Sequence, residues 1–448
     1  MGDMTFLVTS QDDRLPGLTA LLNTDMVGRH LEPHIRQANN RILDCRVTYV
    51  RYRPSGTCTV GYVITHQKRL SGTPQELFWY GVCFTPETFT NVHKEVVAKP
   101  WVKPTFGPPY IALTDYKTLL FAYPNDRKLD GLRILEREDT LREFLCKNLP
   151  KERWPSADEK LATSVVRYLP EHRAVLRCEV ESQPQSSDAA IYLRVHPSQR
   201  SAMAMHSIMC DLLGWLGTQA DLGIPKPLAS DRDQNILLLD SLPGVNLKSV
   251  LGTAHACEAL ERTAEALAVL HGYKDSKLPR WTVAYQLTKA RRAMHLLAKF
   301  LPELRKQIEE IGHALHAQAP RDEDCASGFV HGDFHCGQVL IHPTKVGILD
   351  FDQAHTGPVV ADLGNLLAHL RYQHIKGRQS EDTSLTEAFL EAYARATQKP
   401  LAPPEVISWW TALALLRRSD KPIRRLDADG PNKVKALLEE VEAMLRCK

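Results

Sequence analysis

The 448-residue chain carries 56 basic and 53 acidic side chains for a formal charge of +3, with 43% hydrophobic and 24% charged residues. That balance is ordinary for a globular protein of two or three domains, and it offers neither a nucleic acid nor an anionic membrane surface a field to bind. The start MGDMTFLVTSQDDR lacks a secretory or myristoylation pattern, no apolar run reaches the roughly 18 residues of a membrane helix, and ten scattered cysteines form no CxxC pair. A cytoplasmic chain with buried thiols is expected.

In chain order, the segment up to about residue 250 reads as short strands separated by turn residues. The runs are RVTYVRY, CTVGYVI, LFWYGVCF, TSVVRYL, AVLRCEV, AAIYLRV and NILLLD. From about residue 254 the period becomes helical, in HACEALERTAEALAVLHG, in the long segment from Thr288 to Ala317, in EAFLEAYARA and in EVISWWTALALLRR. Strands followed by helices predict an α+β, two-lobed fold.

The strand-rich half also repeats itself. VRYRPSGTCTVGYVI from Val50 returns as VRYLPEHRAVLRCEV from Val166. FWYGVCFTPETF is echoed by AIYLRVHPSQRS, and LTDYKTLLFAYPND by ASDRDQNILLLDSLPG. Three landmarks in one order, offset by about 110 to 120 residues, suggest a duplicated β-rich unit.

The stretch GFVHGDFHCGQVLIHPTKVGILDFDQAHTGPVVADLGN, Gly328 to Asn365, carries the chemistry. Two apolar runs, VLIH and VGILDF, each meet polar residues unsuited to a core. A hairpin there would gather Asp333, Gln338, Asp350 and Asp352 in one cleft. Phosphoryl transfer needs such a group, with a carboxylate for the attacking hydroxyl and oxygen ligands for Mg²⁺.

HGDFHCGQ resembles the HGDxxxxN loop of the aminoglycoside phosphotransferase and choline kinase superfamily, and ILDFD resembles that family's following acidic segment. The resemblance spans about residues 163–430 and implies a protein-kinase-like two-lobed fold with an extra N-terminal β-rich domain. With the repeat it divides the chain into 1–155, a degenerate duplicate of the small lobe; 156–250, the small lobe; and 251–448, a helical lobe with the catalytic loop. It implies Asp333 as catalytic base, Gln338 and Asp350 as metal ligands with Asp352 as a second carboxylate, and His331 and Asp362 as loop supports. Arg194 takes the phosphate-binding position, and the backbone at Ser241 and Leu242 the adenine-binding one. ATP and Mg²⁺ are the implied cofactors, and the acceptor is a small hydroxyl compound: a sugar, an amino alcohol or an aminoglycoside-like molecule. No acidic stretch beyond RDEDC is visible, which tilts the acceptor towards a neutral polyol.

Three departures stand against the family pattern. Gln338 replaces the loop's Asn, Leu169–Arg173 contains no glycine, and only His206 and Asp211 are placed to pair with Arg194. They keep open a nucleotide-binding pseudokinase without turnover. A metal-dependent hydrolase using His331, Asp333 and His335 is the remaining alternative. The sequence does not report oligomeric state.

Overall fold

The computed structural model describes residues 12–446 apart from 38–39, 55, 69–71, 157, 181–189, 218–220, 275–276, 376 and 378–382. No helix among the described residues is long and apolar enough to cross a membrane. The chain forms two compact units. One comprises Met1–His206, Pro227–Asp240 and Arg424–Ala428, and the other Ser207–Lys226, Ser241–Ile423 and Asp429–Lys448.

The first unit holds two five-stranded antiparallel sheets. β1 (Asn40–Arg53), β2 (Thr57–Lys68), β3 (Gln75–Phe84), β4 (Tyr110–Leu113) and β5 (Thr118–Ala122) are arranged β1-β2-β3-β5-β4. β6 (Leu161–Leu169), β7 (Arg173–Val180) and β8 (Ile191–Val195) continue through Ile236–Asp240 to Pro227–Asp231. Both sheets therefore have one topology, in which three strands in sequence are followed by a helix and a hairpin whose second strand pairs with the third. The first of these helices, Pro86–Ala98, starts where Thr85 caps the Thr88 N–H and Pro86 presets φ. It buries Phe89, Val92 and Val96 against Tyr80, Leu119 and Phe121. A later helix, Glu138–Asn148, serves the second sheet instead, since Leu141, Phe144 and Leu145 share a core with Leu176, Leu193 and Ile236.

The second unit is mostly helical. The long run read from Thr288 to Ala317 is two helices, Val283–Phe300 and Arg305–Ala317, because Pro302 has no N–H to continue the ladder and opens a 3₁₀ turn. Helices Val360–Ile375 and Pro404–Arg418 are buried over most of their surface. They pack so closely that a Cβ on Gly364 would lie 2.7 Å from the Trp410 carbonyl carbon. The hairpin Val339–His342/Lys345–Ile348 is flanked by Val245–Asn246 and Leu222–Gly223, and Ser327–Val330 pairs with His355–Pro358.

The thiols depart from expectation. Cys58, Cys83, Cys178, Cys325 and Cys336 are buried, but Cys210 and Cys257 are exposed on helices. Cys447 lies outside the described residues.

Candidate active site

The candidate loop, residues 331–338, joins strand Ser327–Val330 to strand Val339–His342 in the second unit. Its backbone is anchored by one carboxylate. Asp362, fully buried at the start of helix Val360–Ile375, accepts the His331 N–H at 2.6 Å and the Gly332 N–H at 2.9 Å. Burial alone would raise the Asp362 carboxyl. The hydrogen bond and charge of His271, whose Nε2 lies 3.3 Å away, together with His331 and the Gly332 N–H, hold it below the usual range. His331 is buried with Nε2 2.8 Å from the Leu349 carbonyl and packs edge-on to Phe334. Gly332 takes φ +83°, where a Cβ would stand 2.4 Å from the Gln353 carbonyl oxygen. Only glycine fits that turn.

Asp333 emerges from this anchored turn with its side chain 44% exposed. Its carboxylate lies 3.7 Å from Arg418 Nη1 and 3.8 Å from His335 Nε2. His335 accepts the Gly337 N–H at 3.0 Å and stacks on His369 at 4.8 Å. Burial brings its pKa down to about 4 against the opposing pull of Asp333, so the ring is neutral near pH 7.

At the end of the loop, Gln338 Nε2 donates to Asp350 Oδ2 at 3.1 Å. The Leu349 N–H donates to the Gln338 carbonyl at 2.8 Å, so the residue preceding Asp350 is tied to Gln338 by backbone. Asp350 sits in the left-handed region at φ +70°. Non-glycine residues are held there only by surrounding structure, and such positions cluster at functional sites. Asp352 follows in the 3₁₀ turn Phe351–Gln353 and is exposed.

Thus Asp333, Gln338, Asp350, Asp352, His331 and Asp362 all stand on one loop–hairpin–helix segment. Ser241 and Leu242 also belong to the second unit, where the Leu242 side chain packs over Gly223 and Gly347. Arg194 belongs to the first unit, on β8 between Val175 and Leu237, and is 6% exposed. Asp211, considered as its partner, lies 3.3 Å from Lys277. Among the described residues, no three of His, Cys, Asp and Glu group to hold a metal, as a His331–Asp333–His335 hydrolase site would require.

Sequence reading gave no site role to Arg418, Arg417, Lys289 or His271. No local motif marks them. They reach the loop from three different helices.

The sequence profile of the phosphotransferase enzyme family matches residues 179–410. The chain belongs to this family. It is an enzyme of the small-molecule kinase type, with the family's α+β fold and an additional N-terminal β-rich region. A Ralstonia eutropha JMP134 protein assigned as an aminoglycoside phosphotransferase is 15% identical, with a TM-score of 0.50 over 68% of this chain and 98% of that one. Choline kinase from Cryptosporidium parvum Iowa II is 10% identical, with a TM-score of 0.52 over 68% of this chain and 96% of its own. At these identities the likeness concerns the fold. Among curated proteins none matches the sequence.

Proposed function

We propose that this phosphotransferase moves the γ-phosphoryl group of ATP to a hydroxyl of a small molecule. The observation that carries the reading is the Asp362-anchored turn, which holds Asp333 half-exposed while Gln338 meets Asp350 at 3.1 Å. Asp333 accepts the proton of the acceptor hydroxyl as that oxygen bonds to the γ-phosphorus. The bond from phosphorus to the β,γ-bridging oxygen breaks, and ADP keeps its electron pair.

Gln338 and Asp350 suit a divalent cation. Turning the Gln338 amide over exchanges N for O at nearly unchanged positions and sets Oε1 beside Asp350 Oδ2, two hard oxygen donors of the kind Mg²⁺ prefers. Asp352 is the further carboxylate. When bound, Mg²⁺ neutralises charge on the nucleotide phosphates. Arg194 would contact the phosphates, and the Ser241–Leu242 backbone the adenine.

The N-terminal β-rich segment has no loop of the HGD type, and we read it as a non-catalytic brace. The topology common to the two sheets supports its reading as a degenerate copy of the small lobe. The names of the two similar structures make aminoglycosides and choline-like amino alcohols reasonable acceptors to try beside sugars. The test is ADP release over a panel of hydroxyl compounds, with Asp333→Asn as control. Acceptor-dependent release that the variant abolishes is expected; release undiminished in the variant ends this reading.

A further inference from the structure

The surroundings of Asp333 carry a charge pattern that the sequence did not reveal. Helices Val283–Phe300 and Pro404–Arg418 pack together in the second unit. From them Lys289, Arg417 and Arg418 bring three cations to act on Asp333.

Arg418 is the innermost. It is 6% exposed, with Nη1 3.7 Å from Asp333 Oδ1 and Nη2 3.4 Å from the Asn365 carbonyl, while its buried Nε has no hydrogen-bond partner. Arg417 donates to Gln286 Oε1 at 3.0 Å, a neutral group. Lys289 lies 3.8 Å from the Trp281 ring centroid and 3.3 Å from Gln353 Oε1, again without a carboxylate. Gln353 is the residue whose carbonyl abuts Gly332, so the Lys289 ammonium ends beside the turn that carries Asp333.

Among the described residues, few anions act on them: Asp333 and Asp420 on Arg417, and Asp333 on Lys289, against the like charges of Arg417 and Arg292. Burial and this repulsion lower the Lys289 pKa to about 8. Crowded and partly desolvated cations are stabilised by an incoming oxyanion and destabilised by an incoming cation.

We propose that the acceptor is an anion, a small hydroxy compound bearing a carboxylate or phosphate oxyanion that Lys289 and Arg417 bind while its hydroxyl faces Asp333. Arg418 acts as a positioning residue for the Asp333 carboxylate. This rests on the phosphotransferase reading, and it replaces the neutral polyol favoured by the sequence. A wall of this charge disfavours choline-like and aminoglycoside-like acceptors. Were the three cations present only to balance the transferred phosphoryl group, they would serve every acceptor alike.

The experiment measures ADP release from Mg²⁺-ATP with two matched sets, D-glycerate, glycerol and ethanolamine, and D-gluconate, D-glucose and D-glucosamine, alongside release to water. The anionic member of a set is expected to exceed the neutral one by about tenfold or more in kcat/KM, as one charge-assisted hydrogen bond allows, with the cationic member last. Lys289→Met should erase that preference chiefly through KM for the anionic acceptor, and Lys289→Arg should restore most of it. A purely structural lysine would not divide its effect by acceptor charge. Neutral or cationic members accepting phosphate as well as anionic ones overturn the proposal. So does failure of both anionic members while water still accepts phosphate, an outcome that leaves the phosphotransferase reading standing. Absence of ATP consumption under every condition overturns both.

Discussion

Arg127 grips Glu171 with two parallel hydrogen bonds, Nε to Oε1 at 2.7 Å and Nη2 to Oε2 at 2.8 Å. Glu171 is the left-handed residue in the turn between β6 and β7, a turn without glycine. The neighbouring Asp126, wholly buried, accepts the Glu171 N–H at 2.9 Å and the Tyr168 hydroxyl at 2.9 Å. The loop leaving β5 thus fixes a turn that lacks glycine's freedom.

This junction should be pH-dependent. Burial, then the Glu171 charge, pushes the Asp126 carboxyl up to about 6, against the pull of its N–H and hydroxyl donors. The folded value exceeds the unfolded one of ~3.9, so the group's contribution is fully present below about pH 4 and is lost as pH rises through about 6. Asp126→Asn should cost about 1–3 kcal/mol, because an amide NH₂ would face two donors. It should also flatten the fall in Tm between about pH 4 and about pH 6. Parallel Tm profiles for variant and wild type would contradict the assignment.

Asp333 and Asp350 should fail differently. Asp333→Asn is expected to keep Mg²⁺-ATP affinity while turnover drops ~10²–10⁴-fold, the contribution of a positioned base. Asp350→Asn should weaken Mg²⁺-nucleotide binding as well as rate. Gln338→Ala should resemble it more mildly, and Gln338→Asn should recover part of the activity. Calorimetric titration with a non-hydrolysable nucleotide separates the cases; normal binding by both metal-site variants would remove Gln338 and Asp350 from the proposed roles.

The pH–rate profile should have an alkaline limb near 8. Lys289 faces Arg417 on helix Pro404–Arg418, Asp333 on the loop, and Arg292, Tyr285 and Trp281 from its own side. It is charged below about pH 8, so kcat/KM for an anionic acceptor should fall as pH rises through that value. Lys289→Arg should move the limb upward, since guanidinium does not titrate there. His335, held near 4 by burial, should add no limb above about pH 5. An alkaline limb unmoved in the arginine variant would exclude Lys289 as its source.

Gly332→Ala tests the turn itself. At φ +83° and with the Gln353 carbonyl 2.4 Å from the new Cβ, the loop must shift. Strain of about 1–3 kcal/mol is expected, felt mainly as lost turnover because Asp333 is the next residue. Circular dichroism should show an intact fold. Wild-type turnover in this variant would mean that the position of Asp333 is not critical.

A fragment starting at residue 155 should not be soluble. It would strip Leu141, Phe144 and Leu145 from the core they form with Leu176, Leu193 and Ile236. Exposure of several apolar side chains, each worth about 1.5–3 kcal/mol when buried, exceeds what a domain can lose. A monomeric, cooperatively melting 155–448 fragment would refute this.

The sequence by itself determined most of the elements and the make-up of the loop, because both are short-range. Strand-type runs and helical periods located seven strands and four of the later helical stretches, and HGDFHCGQ with ILDFD carried within one contiguous stretch the glycine, the aspartate and the Gln–Asp pair that the structure assembles. Helices Pro86–Ala98 and Glu138–Asn148 escaped notice between stronger strand signals, and Val360–Ile375 and Gly430–Arg446 were not singled out. Only the tertiary structure decided what surrounds the loop. His271 meets Asp362, Arg418 meets Asp333, and Lys289 reaches Gln353 from helices distant along the chain. A lysine or arginine on a helix reads as a solvated charge until packing removes its water. Burial and charge crowding, which give these groups their chemistry, exist only once the helices are packed.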